Sequence, residues 1–376
     1  MTAAFSIFSL RLGYPRVMVF DEHHYVPASK ELIQIQPNRN YEHPPLGKFM
    51  MGIAIATLGD HPVGWRAASC LAGTLAIGAV FWLALGLYGD LALAALAGWF
   101  ALTSGLLLTM SRLAMLDVFA AAFSLLALAA LISRRTLLSA LSIGVAISCK
   151  WSAIPVWGMM LLVYPICRRR IAPRKPFNLG WWLTIALLPV LVYALSYAPL
   201  ALVEAPGHSP MDLVQMQTAM WQAQVQLVKL HQAHVPWWDW PLKFEPWWLF
   251  GGATGESGEL RLMMLANPVV ILGGALAIFA LIKRAILGRD VRDAYLVANF
   301  AAVYLIWALS LRSNQFYYYF LPGSLILSIA LARTVMLLAK SLVNPNYEYL
   351  LVALITCVSG AWLFANISAL TAGPWH

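Results

Sequence analysis

The stretch VFDEHHYV at 19–26 sets two acids beside two histidines in a chain that holds only 16 acidic residues and 8 histidines among 376. Three chemistries fit such a block. A carboxylate can take the proton of a reacting hydroxyl. Asp21 and His24, spaced i and i+3, could share a helical face as metal ligands. The block could also be an ordinary charged loop. Adjacent His23 and His24 would point apart on a helix, and no second ligand cluster is evident, so no metal is assigned. The remaining reactive residue types recur at separate places: His43, Lys48, Arg66, Arg112 with Asp117, Lys150, His208, His234 and Arg312.

These residues must be positioned by apolar elements. The chain is 61% hydrophobic and 11% charged, with a mean hydropathy of +0.72, far from the balance of a soluble protein. Stretches near the length needed to cross a bilayer, about 20 residues, fall at 63–87, 90–110, 112–132, 136–150, 152–167, 179–203, 262–282, 293–311, 316–339 and 347–368. The apolar opening MTAAFSIFSL lacks a basic n-region and a small-residue cleavage site, and reads as the end of a first helix rather than a signal peptide. The expectation is an all-α polytopic membrane protein of about eleven spans, one transmembrane domain over 1–376. Its net charge of +9 is then a topology signal rather than a sign of nucleic-acid binding. Four scattered cysteines without CxxC spacing indicate neither a disulfide framework nor a thiolate metal site.

The connections are of two kinds. Arg134–Arg135, RRRIAPRK at 168–175, KRAILGRDVR at 283–292 and Lys340 are basic and short, and span counting puts all four on one face, which the positive-inside rule makes cytoplasmic. Two long segments, 11–62 and 204–261, lie on the other face. The second begins with an amphipathic helix: Val214, Trp221, Val225 and Val228 form a stripe, with Gln215, Gln222, Gln226 and Lys229 elsewhere, as in a helix lying in the membrane interface. In PWWDWPLKFEPWW, tryptophans such as Trp237 and Trp238 suit interface anchoring, or else a sugar-stacking platform.

On this topology Asp21, Glu22, His43, Lys48, Arg66, Arg112, Asp117, Lys150, His208 and Arg312 all converge on the outer face. Asp117 and Lys150 lie 17 and 15 residues from the Arg134–Arg135 turn. Both therefore sit at similar depth, about 22–26 Å along antiparallel helices, which predicts an ion pair. Arg112 lies about 140° around the helix from Asp117 and is left for an anionic ligand. Cations at a membrane surface suit a lipid phosphate, and an acid beside them suits deprotonation of an acceptor hydroxyl. Phosphate leaves without a proton donor, unlike the alkoxide of a glycosidase substrate. Glycosyl transfer from a polyprenyl-phosphate sugar needs only a base and a cationic clamp, and two adjacent acids would raise the base's pKa.

FDEHHY at 20–25, HPPLGK at 43–48, GWR at 64–66, SRLAMLD at 111–117, CKW at 149–151, HVPWWDWP at 234–241 and FYYYFLP at 316–322 resemble the protein O-mannosyltransferases of the GT-C superfamily, in order and over nearly the whole chain. The resemblance implies a GT-C fold in the plasma (inner) membrane, with the active site on the external or periplasmic face. It implies an inverting transfer of mannose from polyprenyl-phosphate mannose to Ser or Thr of an exported polypeptide. Asp21 would be the base, with Glu22 in support. His43, Lys48, Arg66, Arg112 and Lys150 would surround the donor, and His208, His234, Trp237 and Trp238 would line the acceptor side. The eukaryotic β-trefoil insertion is absent, because 204–261 offers about 58 residues and no strand-like alternation. HVP replaces the family's more common HPY at 234–236. A related transfer onto lipid, like that of the aminoarabinose transferases, would more usually show KPPL than HPPL. A lipid-linked-sugar flippase would need charges along a path through the membrane, whereas these gather at one end.

Overall fold

A computed structural model describes residues 1–37, 40–171, 179–202, 210–225, 233–250, 262–310, 312–342 and 345–371. The opening apolar stretch forms α1 (Thr2–Ser9), and the first long segment carries α2 (Glu22–Ile33) and α3 (Leu46–Leu58). Next come α4 (Pro62–Tyr88), α5 (Leu91–Leu102), α6 (Gly105–Ser111), α7 (Leu116–Ile132) and α8 (Thr136–Cys149). They are followed by α9 (Ile154–Leu162), α10 (Tyr164–Ile171), α11 (Leu179–Ser196) and α12 (Pro210–Val225). A two-stranded antiparallel pair, β1 (Trp247–Phe250) and β2 (Leu262–Met264), precedes α13 (Pro268–Leu287), α14 (Val291–Leu305), α15 (Leu321–Ser341) and α16 (Pro345–Leu370).

Each apolar run of the sequence has become a helix or a pair of helices, and the short strands are an addition to the expected all-α chain. They form although alternation is weak, because Trp247 packs on Phe316 and Tyr318 and all three residues of β2 are buried. Among the described residues five helices, α4, α11, α13, α15 and α16, are long and apolar enough to cross a membrane. Joined across their 64° bend, α5 and α6 make a sixth. The expected count of about eleven exceeds this because α1, α7, α8, the α9–α10 stretch and α14 all fall below span length; α7 and α8, with 17 and 14 residues, reach only about 25 and 21 Å, short of the roughly 30 Å of hydrocarbon. Asp117 and Lys150 sit where these two helices fall short.

Local signals set the element ends. Pro62 opens α4, and Gly89 closes it with a left-handed φ of 65°. Asp90, Ser104, Asn267 and Asp290 cap α5, α6, α13 and α14 with side-chain oxygens on backbone N–H groups. The break between α5 and α6 is held from outside. Asn267 donates to the Thr103 carbonyl at 3.0 Å, and the Thr103 hydroxyl meets that of Ser359 on α16 at 2.6 Å. A Cβ on Gly105 would lie 2.2 Å from the Leu265 carbonyl oxygen, so only glycine admits this approach. Gly52 does the same for α3 against α2, where a Cβ would lie 2.6 Å from the Ser29 carbonyl oxygen.

Charges gather at both ends of the bundle. At the end opposite Asp21, fully buried Asp293 accepts from Arg284 at 2.7 Å and Arg333 at 3.3 Å. Arg333 also reaches Asp290 at 3.2 Å and lies 4.5 Å from the Tyr88 ring centre. This network ties α13, α14, α15 and the end of α4, and sets the frame against which the other end is built.

Candidate active site

The acid block begins on a strained turn. Phe20 has φ of 54°, rare for a residue with a side chain, and its ring is clasped edge-on by Trp247 at 5.4 Å, Tyr318 at 5.7 Å and Phe316 at 6.2 Å. Asp21 then occupies the N-cap of α2 without its side chain capping the helix. Its carboxylate turns instead to Tyr318, whose hydroxyl donates to Oδ2 at 3.1 Å. Burial pushes the Asp21 pKa above the usual carboxylate range; Lys150 opposes that shift and Asp117 adds to it. The expected cause, repulsion from adjacent Glu22, is not among these influences.

Glu22 is committed to the scaffold. It is fully buried and accepts four hydrogen bonds: Arg66 Nε and Nη2, each at 2.8 Å, the Val19 N–H at 2.9 Å and the Ala114 N–H at 2.8 Å. Arg66 completes the staple. Its other N–H groups go to the carbonyls of Leu12 (3.1 Å), Pro15 (2.9 Å) and Val17 (3.1 Å). A guanidinium has five N–H donors, all are engaged here, and none is left for a phosphate.

Two further cations expected at the donor also bind mainly backbone carbonyls. Lys48 donates to the backbone carbonyls of Asn40 and, at 3.0 Å, His43, and is fully buried. It closes the loop ahead of α3. Arg112 donates to the carbonyls of Phe8 (2.8 Å), Leu10, Arg11 (2.9 Å) and Thr371 (3.2 Å). It is a cation at the C-terminal ends of α1 and α16, where carbonyls lack intrahelical partners.

Lys150 and Asp117 form the ion pair that helix arithmetic predicts, with Nζ 2.8 Å from each carboxylate oxygen. The ammonium lies 4.7 Å from the Tyr319 ring centre and 5.4 Å from that of Tyr318, within cation–π range. Arg312 lies 5.3 Å from the same Tyr319 ring. Its Nη1 donates to the Gln224 side chain, and its buried Nε has no partner among the described residues. Both cations border a cavity of about 410 Å³, lined also by His43, Trp151, Trp221, Gln224 and Trp307. Ile154, Ile306 and Leu309 continue the lining and are exposed, giving the cavity an apolar mouth. Burial, then Lys150, Arg312 and Lys48, hold the His43 pKa well below its usual value, so the ring is neutral.

The amphipathic helix α12 roofs this cavity. The Tyr193 hydroxyl donates to Gln217 at 2.6 Å, and Gln224 donates to the Glu42 carbonyl at 2.9 Å. Val214 and Trp221 remain largely exposed. Val228 of the expected stripe, Gln226 and Lys229 away from it, and His208 lie outside the described residues. His234 accepts the Gln315 N–H on Nδ1 at 3.1 Å, and the Trp237 N–H donates to the Gln315 side chain at 2.8 Å. Trp237 packs on Tyr304 at 5.3 Å, Trp238 is 60% exposed, and Trp240 is buried. The tryptophans thus divide between core and surface. Among the described residues, no three His, Cys, Asp or Glu side chains gather as metal ligands would.

The structure therefore groups Asp21, His43, Asp117, Lys150 and Arg312, and sets Arg66, Arg112 and Lys48 apart as clasps. Tyr318 and Gln224 were not legible as site residues. FYYYF carries a signal only as an aromatic run, and Gln224 belongs to a helix read for its apolar stripe.

No family model matches the chain. The protein O-mannosyltransferase Pmt1–Pmt2 complex of S. cerevisiae bound to the sugar donor superposes with a TM-score of 0.85, covering 100% of this chain and 90% of that one at 11% identity. The chain has the fold of the GT-C membrane glycosyltransferases. A second GT-C neighbour, ArnT from Cupriavidus metallidurans in the apo state, has a TM-score of 0.62 at 19% identity and covers 97% of this chain and 63% of its own. By sequence, the polyprenol-phosphate-mannose–protein mannosyltransferase of Mycolicibacterium smegmatis is 24% identical over 424 aligned residues, spanning 90% of this chain and 80% of that protein.

Proposed function

We propose that this GT-C chain transfers mannose, with inversion, from polyprenyl-phosphate mannose to Ser or Thr hydroxyls of exported polypeptide. The whole chain acts as one transmembrane domain in the plasma membrane, with the Asp21 end on the outer face. The observation that carries the reading is the Asp21 carboxylate, which senses the charge of Lys150, a cation that with Arg312 borders a cavity whose mouth is apolar. The sequence relative bears the name of a polyprenol-phosphate-mannose–protein mannosyltransferase, which favours a protein over a lipid acceptor.

The chemistry balances with these groups alone. Asp21 accepts the hydroxyl proton as the acceptor oxygen bonds to C1 of the sugar. The bond from C1 to the phosphate oxygen breaks, and the electron pair leaves on phosphate. The donor is a phosphodiester with one negative charge, and the product phosphate gains a second. Arg312, with an Nε unpartnered among the described residues, and Lys150 stand where that charge develops, and charge-assisted contacts there strengthen along the reaction. His43, held neutral, adds no third cation. Ile154, Ile306 and Leu309 offer a surface for the first isoprenes. His234, Trp237 and Trp238 would border the acceptor, with Gln315 fixing the backbone that carries them.

The test is transfer by the purified protein from a panel of polyprenyl-phosphate sugars to a Ser/Thr-rich peptide, with lipid products analysed in parallel. Mannosyl peptide formed from the mannose donor supports the reading. Labelled glycolipid without labelled peptide overturns the acceptor assignment.

A further inference from the structure

We infer that Tyr318 is a positioning residue for the base: its hydroxyl fixes Asp21 Oδ2, holds the carboxylate ionised and leaves Oδ1 for the acceptor hydroxyl. The inference rests on the proposed role of Asp21 and adds a residue that the reaction's charge balance does not require.

Geometry carries it. Tyr318 is buried, and its ring cannot turn freely. It stacks on Phe316 at 5.5 Å and Trp247 at 6.1 Å, with interplanar angles of 6° and 12°, and meets Tyr319 edge-on at 4.8 Å. The same Trp247 and Phe316 clasp Phe20, the residue before the base. One aromatic group thus fixes both the strained turn that presents Asp21 and the hydroxyl that orients its carboxylate. Among the described residues, the Tyr318 hydroxyl is the side-chain donor to Asp21. An O–H donor favours the charged form of a carboxylate, and it works here against a burial that favours the neutral acid.

The groups that face Asp21 come from several elements. Asp117 lies on α7, Lys150 follows α8, and His24 lies on α2. Tyr25 on α2 and Tyr319 beside Tyr318 also sense its charge. Removing only the Tyr318 hydroxyl leaves all of them in place.

The experiment compares wild type with Tyr318→Phe, which keeps the ring, and with 3-fluorotyrosine at 318, a stronger donor of nearly the same shape. The acid limb of kcat/KM for peptide mannosylation is expected to move up by about one pH unit in Tyr318→Phe. It moves down with fluorotyrosine, and the Tyr318→Phe rate recovers at high pH. A uniform loss at every pH with an unmoved limb overturns the inference. Infrared titration of the carboxyl C=O band that disappears in Asp21→Asn reads the same contact without turnover. Its midpoint must rise in Tyr318→Phe, and an unchanged midpoint overturns the inference even if activity is lost. Should Asp21→Asn keep full transfer, the base assignment and the role built on it both fail, while the infrared shift still reports the hydrogen bond; the two failures are thereby told apart.

Discussion

Arg66→Met separates two accounts of the cation that binds Glu22. A phosphate ligand would cost donor affinity and leave the fold intact. The structure makes Arg66 a staple: it satisfies both oxygens of buried Glu22 and three loop carbonyls between α1 and α2. Removing one partner of a buried ion pair costs about 3–5 kcal/mol, because the other charge stays buried. Thermal unfolding in detergent, followed by retention of the monodisperse peak, should show a large drop for Arg66→Met. The double variant Glu22→Gln/Arg66→Met carries no orphaned charge, and the new amide oxygen can still accept from the Val19 or the Ala114 N–H. It should recover about 2 kcal/mol or more of the loss. An Arg66→Met protein that melts like wild type, with only its donor KM raised, would refute the staple.

The other perturbations probe the cluster itself. Lys150→Met should lower the melting temperature by leaving Asp117 unpaired in the interior, and Asp117→Asn/Lys150→Met should regain stability without regaining transfer; recovery of both would show that Lys150 has no part in the reaction. Arg312→Ala should raise the donor KM about tenfold or more, as for a lost charge-assisted contact of about 1.5–3 kcal/mol, with unchanged melting; an unaltered KM would remove Arg312 from the donor site. Transfer should fall with decreasing pH at a value above the usual carboxylate range, since burial raises the Asp21 pKa and the protonated acid cannot accept a proton. An acid limb near pH 4 would show that the carboxylate is solvated during turnover.

What the sequence made legible follows from periodicity. Apolar runs marked most of the long helices though not α2 or α3, and equal distances from one basic turn placed Asp117 and Lys150 at the same depth, where they pair. Hydropathy could not show that α7 and α8 stop short or that α5 and α6 bend, because the bend depends on Asn267, Thr103 and Ser359 meeting from distant segments. It was also blind to how cations are spent. Arg66, Arg112 and Arg312 look alike in sequence, yet two of them end among backbone carbonyls and one borders the cavity. Only the packed loop between α1 and α2 decides that difference. Tyr318 was hidden for the same reason: its partner Asp21 lies 297 residues away.

The central claim is that Asp21 takes the proton of the acceptor hydroxyl. Asp21→Asn keeps the size of the side chain, and its single-turnover transfer from polyprenyl-phosphate mannose to a Ser/Thr peptide should fall by about 10²–10⁴, with donor binding and melting temperature as in wild type. Transfer by Asp21→Asn at the wild-type rate would contradict the account.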